Sequence, residues 1–127
     1  MSQAELLHGE VTAAIIKSFY HVYNTLGYGF LEKVYENALK ISLAKAGLAV
    51  RQQVPISVCF EGEEVGEYYA DLLVNEVVIL EIKSAKAIAA DHEAQLTNYL
   101  KATGRQVGLL LNFGPQPEFK RKVFTPR

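Results

Sequence analysis

Three residues in the middle of the chain have types and spacing that could do chemistry: Asp71, Glu81 and Lys83. They lie in two apolar runs, one ending Asp71-Leu72-Leu73-Val74 and one from Val77 to Ser84. Between them stands Asn75-Glu76, which reads as a hairpin turn. Side chains alternate across a strand, so Glu81 and Lys83 share a face while Ile82 points away. A hairpin turning around Glu76 sets Asp71 opposite Glu81, with Cβ atoms about 4.5–5.5 Å apart. Two carboxylates so close repel unless a proton or a cation lies between them. Carboxylate oxygens suit a hard divalent ion such as Mg²⁺ or Mn²⁺. Lys83, one pleat further on, could hold or polarise a water beside that ion. The set reads as a small metal-assisted hydrolysis centre. The plainer reading is an exposed strand face with alternating charge. Against it, Val77 to Leu80 and Ile82 are apolar, which predicts a central strand where unpaired charge is costly.

The elements that must position these residues follow from periodicity. From Glu10 to Leu26, apolar residues at Val11, Ile15, Phe19, Val22 and Leu26 predict an amphipathic helix, stopped by Gly27. A second helix is predicted from Phe30 to Ala46, with Leu31, Tyr35, Ala38, Leu39 and Ser42 on one stripe and Gly47 closing it. Val54 to Phe60 alternates like a strand, and Pro55 places it at an edge or a strand start. After the turn Glu61-Gly62-Glu63 come a second strand, Val65 to Val74, and a third, Val77 to Ser84. Asp91 is the expected N-cap of a third helix ending near Ala102, with Gly104 beyond. Val107 to Phe113 is a continuous apolar strand of the kind covered on both faces. Strand, helix and buried strand imply a right-handed parallel crossover. The expected fold is α/β, a mixed sheet of three antiparallel strands plus a parallel crossover strand, flanked by helices in the order ααβββαβ. Lys120 to Phe124 can add a short edge strand.

Composition bounds the rest. The chain has 127 residues, of which 50% are hydrophobic and 21% charged, so a single globular domain over residues 1–127 is expected. A lone cysteine, Cys59, excludes a disulfide framework and a thiolate zinc site, and fits the cytoplasm. No apolar stretch approaches the roughly 20 residues of a membrane span. Met1-Ser2-Gln3-Ala4-Glu5 is polar where a signal peptide would be basic and then apolar. Thirteen basic and fourteen acidic residues give a net charge of −1, which argues against tight nucleic-acid binding by charge alone.

Asp71 followed by Glu81-x-Lys83 resembles the signature of the PD-(D/E)xK nuclease superfamily, with Ala70 where that motif usually has Pro. On the following helix, Gln95-x-x-x-Tyr99 is similar to the extra motif of the RecB-like and lambda-exonuclease-like branches. Gly29-x-x-Glu32-x-x-Tyr35 resembles the motif of the GxxExxY protein family, assigned to the same superfamily. The three motifs stand in the expected order and the resemblance covers about Gly9 to Phe113. It implies a restriction-endonuclease-like core that cleaves phosphodiester bonds with Mg²⁺ or Mn²⁺. Asp71, Glu81 and the Ile82 backbone carbonyl would be metal ligands, with Glu32 as an additional acid close to the metal. Lys83 would orient the attacking water, while Gln95, Tyr99 and Tyr35 would contact substrate or brace the site. The implied partner is nucleic acid, DNA ahead of RNA, and a core this small leaves room for a homodimer. The alternative is a binding module that keeps the nuclease fold and cleaves nothing.

Other residues carry weaker expectations. His92 lies near the start of the third helix, where it could approach the site. Cys59 is expected to pack in the sheet, and Tyr68 or Tyr69 could stack on a base, although core packing is the plainer role. Lys120, Arg121, Lys122 and Arg127 read as a solvated basic tail.

Overall fold

A computed structural model describes residues 7–125, so residues 1–6 and 126–127, with the polar Met1 to Glu5 run and Arg127 among them, lie outside the described residues. Two helices come first, α1 (Gly9–Leu26) and α2 (Glu32–Lys45). They are followed by β1 (Val50–Phe60), β2 (Glu63–Val74), β3 (Val78–Lys83), α3 (Ala90–Thr103), β4 (Val107–Phe113) and β5 (Pro117–Val123). The five strands form one sheet in sequence order. Every neighbouring pair is antiparallel except β3 and β4, which α3 joins as a parallel crossover. The short edge strand expected over Lys120 to Phe124 is present as β5, which begins three residues earlier and ends at Val123.

Helix periodicity divides the core into two layers. Ile15, Phe19 and Val22 of α1 and Leu39 and Leu43 of α2 pack against Leu72, Leu80, Ile82 and Leu109 on one face of the sheet. Leu96 and Leu100 of α3 pack against Ile79 and Leu110 on the other. β4 is buried along its whole length because both layers cover it. The β2–β3 turn is built on Asn75 and Glu76, both with positive φ (51° and 59°), the backbone of a type I′ hairpin.

Several local expectations are corrected. Leu31 does not join the buried stripe of α2; it precedes the helix and is 80% exposed. Asp91 does not cap α3, which starts at Ala90; instead the Ala89 N–H donates to His92 Nδ1 at 3.1 Å. That bond occupies His92 at the helix start. Cys59 is exposed rather than packed in the sheet. Of the two readings of Lys120, Arg121 and Lys122, the edge strand holds and the solvated tail does not: Lys122 pairs with Glu93 at 2.6 Å and Arg121 donates to the Leu7 carbonyl.

One departure from regularity positions the site. Val50, Leu72 and Val74 pack with the α1/α2 layer, whereas Val54, Ile56 and Ala70 pack with α3. β1 and β2 therefore turn their faces over at Gln53 and Asp71. Gln53 has φ 53° and drops out of the paired register between Gln52↔Leu72 and Val54↔Ala70. A left-handed residue inside a strand reverses which side its neighbours face. β2 and β3 pair only from Val74↔Val78 to Leu72↔Leu80. Beyond that point β2 stays with β1 and β3 stays with β4, so the sheet forks.

Candidate active site at the fork of the sheet

Asp71 and Glu81 stand at the first positions beyond the last β2–β3 pair, in the crotch of the fork. There the ladder is replaced by side chains. The Asp71 N–H donates to Glu81 Oε2 at 2.9 Å, and the Ile82 N–H donates to Asp71 Oδ2 at 2.8 Å. Each carboxylate thus satisfies a main-chain donor of the opposite strand, which would otherwise be stranded where the strands part. The alternation of β3 sends Ile82 into the α1/α2 layer and leaves Glu81 and Lys83 on the other face.

Burial governs the electrostatics. Glu81 is only 4% exposed. Burial, reinforced by the Asp71 charge, pushes its carboxyl up to about 8, against the opposing pull of the Asp71 N–H and Lys83. Burial also raises Asp71, while the Ile82 N–H, Gln53 and Lys83 draw it back. Lys83, half-buried at the end of β3, acts on both carboxyls and so stands with them. Tyr99 of α3 completes the wall: burial and then the Glu81 and Asp71 charges push its phenol up to about 12.

The α2 side adds one expected acid and one that sequence reasoning missed. Glu32 Oε2 accepts from the Ser84 N–H at 3.3 Å, at the residue after Lys83. Glu36, 4% exposed, accepts from Gln52 Nε2, from Gln53 Nε2 (3.1 and 3.2 Å to its two oxygens) and from Lys33 Nζ at 2.9 Å. Gln53 Nε2 also donates to Asp71 Oδ1 at 3.3 Å, so it links Glu36 to Asp71. The signal for Glu36 was in the sequence: it falls three and seven residues before the buried Leu39 and Leu43. Nothing in the sequence marks Gln53, whose position depends on a backbone reversal.

The three residues expected to contact substrate or brace the site separate here. Gln95 and Tyr99 both line a cavity of about 710 Å³ between α3 and the β1–β2 hairpin. Tyr35 is corrected. It is fully buried, stacked on Phe113 with ring centroids 4.3 Å apart, and its hydroxyl donates to the Gly27 carbonyl and accepts from the Phe30 N–H. Tyr35 thus braces the α1–α2 corner.

The donor chemistry fits a hard dication in a limited way. Asp71 and Glu81 are close enough to exchange hydrogen bonds with each other's strands, and among the described residues no trio of His, Cys, Asp or Glu side chains is gathered closely enough to hold a metal. Mg²⁺ needs no such trio, because it keeps several waters and takes one or two carboxylates.

A family model for the PD-(D/E)XK nuclease superfamily matches residues 9–122. The chain belongs to that superfamily. Among solved structures, this PD-(D/E)XK protein is similar to the protein SSO0001, with TM-score 0.56 and 17% identity over 75% of this chain and 50% of that one. It is also similar to the alkaline exonuclease LHK-Exo from Laribacter hongkongensis, with TM-score 0.55 and 16% identity over 73% and 56% of the two chains. The PD-(D/E)XK chain spans about half the length of these two structures. At such identities the likeness is one of fold, and it makes the forked sheet and its helices a restriction-endonuclease-like core. A comparison with curated proteins finds no match. Among the described residues, no helix of this superfamily member is long and apolar enough to cross a membrane.

Proposed function

We propose that this protein is a divalent-metal-dependent nuclease that hydrolyses phosphodiester bonds of nucleic acid, DNA ahead of RNA, in the cytoplasm. The observation that carries the reading is the pair Asp71 and Glu81 at the fork, with Lys83 beside them. A buried carboxyl pushed up to about 8 next to a second acid is an arrangement that a cation relieves. Asp71, Glu81 and the Ile82 carbonyl would hold Mg²⁺ or Mn²⁺, with Glu32 on the helix side. The ion, when bound, would polarise the scissile phosphate and the attacking water. Lys83 would orient that water and stabilise the charge growing on the phosphate oxygens. Gln95 and Tyr99 would contact the substrate from α3.

The deciding experiment is cleavage of single- and double-stranded DNA and RNA with Mg²⁺ or Mn²⁺, run beside a chelator control and beside Asp71→Ala and Lys83→Ala. Metal-dependent cleavage that falls at least a hundredfold in both variants is expected. Cleavage unchanged in Lys83→Ala would remove the enzyme claim. A second reading, a binding module that retains the fold, is favoured by one observation: both carboxylates already satisfy main-chain donors. A structural role for the pair would show as nucleic-acid binding with no thermal response to Mg²⁺.

A further inference from the structure

The cavity beside α3 has a construction that the hydrolysis centre does not require. One wall is the β1–β2 hairpin, whose register shifts at Val58/Cys59, an irregularity that bends a hairpin. Tyr68 projects from it on the face shared with Ile56 and Ala70, and its ring lies over Gly66, where an added Cβ would come within 3.6 Å of it. Although it faces α3, Tyr68 remains 48% exposed. Its ring meets Tyr99 at a centroid distance of 5.8 Å and a tilt of 44°, so one Tyr68 surface is held while the rest is offered to the cavity. Tyr99 lines the same cavity, and the Glu81 and Asp71 charges of the fork act on its phenol.

The remaining lining narrows the ligand. Gln95 and Asn98 line the cavity, and each carries an amide with two donors and an acceptor. Such amides can pair with base edges. The charged lining is only Asp91 and Lys101, which is poor equipment for tracking two phosphate backbones. At about 710 Å³ the space is that of a small organic ligand, not of a duplex.

We propose that this cavity receives an unpaired nucleobase flanking the scissile phosphate, stacked on Tyr68, so that the protein selects single-stranded nucleic acid. The proposal rests on the nuclease reading for its substrate class, but binding tests it separately. Labelled single-stranded DNA, single-stranded RNA and blunt duplex DNA of equal length would be titrated by fluorescence anisotropy with Ca²⁺ present. Single strands are expected to bind at least tenfold more tightly than the blunt duplex. Tyr68→Ala should weaken single-strand binding about tenfold, in keeping with the loss of one stacked base, while Tyr68→Phe should bind as the parent does. Cys59, the sole cysteine and a lining residue, supplies an independent probe: bound single strand should slow its alkylation by a maleimide, and duplex should not. Equal binding of duplex, an unchanged Tyr68→Ala affinity, or unprotected Cys59 at saturating single strand would each overturn the proposal. Metal-dependent cleavage that survives these failures would leave the nuclease reading standing. Tyr68-dependent single-strand binding with no cleavage of any substrate would sink the nuclease reading alone.

Discussion

At the scale of single residues, the fork makes Glu81 the group on which metal-free stability and metal affinity both turn. Its carboxyl is raised in the folded chain from 4.5 to about 8, so the folded state holds a proton that the unfolded state has lost. The sign follows: the stabilisation is fully present below about pH 4.5 and is lost as pH rises toward 8. Metal-free protein should therefore melt at progressively lower temperature from pH 5 to pH 8, with a slope of up to about 1.4 kcal/mol per pH unit from this one proton. Glu81→Gln removes the titration and should flatten that part of the profile, while abolishing the thermal response to Mg²⁺. In the parent, Mg²⁺ must displace the proton, so its affinity should rise over the same interval. Differential scanning fluorimetry across pH, with and without Mg²⁺, reads all three. A parent profile as flat as that of Glu81→Gln would show that Glu81 is already ionised and solvated in the folded chain.

At the scale of elements, the segment that leaves β3 is held by one buried side chain. Asn112 of β4, opposite Lys83 in the parallel register, donates to the Ala85 carbonyl at 3.0 Å and accepts from the Ala85 N–H at 2.9 Å. Gly114 permits this closure, because a Cβ there would lie 2.2 Å from the Ala85 oxygen, a backbone atom that cannot step aside. Asn112→Ala should cost about 1–3 kcal/mol for each backbone group left unpaired. Gly114→Ala should displace the Ser84–Ala85 segment, and with it Lys83 and the Glu32 contact to Ser84. Urea unfolding checks the stability loss; in Gly114→Ala, cleavage should fall further than stability does. Unaltered activity in Gly114→Ala would show that this segment does not position Lys83.

The same elements show what the sequence could reveal. The helices, the Asn75-Glu76 hairpin and the buried β4 were legible because each has a period or a turn dipeptide that local sterics enforce. The opposition of Asp71 and Glu81 was legible because turn length sets register. The fork was not: the ladder ends one pair before these residues, through the competition of two carboxylates for main-chain donors and the reversal at Gln53. Tyr35 shows the converse difficulty. A tyrosine in a motif gives no sign whether its hydroxyl meets a ligand or, as here, the Gly27 carbonyl and the Phe30 N–H of its own corner.

At the scale of the whole molecule, charge sets how a nucleic acid can be held. The net charge is −1, and several cations are engaged internally: Lys33 with Glu36, Arg51 and Arg105 with Glu76, and Lys122 with Glu93. Around the fork and the cavity, Lys83 and Lys101 are the cations placed to meet phosphates. Neutralising about two phosphates of a single strand gives a slope of log affinity against log salt of only about −1.4. Raising salt from 50 to 200 mM should then weaken single-strand binding by about tenfold or less, where a protein making 6–10 phosphate contacts loses about 10³–10⁵. Lys101→Ala should lower the slope by roughly one phosphate equivalent, about 0.7, at every salt concentration tested. Anisotropy titrations over that salt series measure both quantities. A slope steeper than about −4 would require about six or more phosphate contacts; the strand would then be held by a basic surface away from the cavity, with stacking secondary to charge.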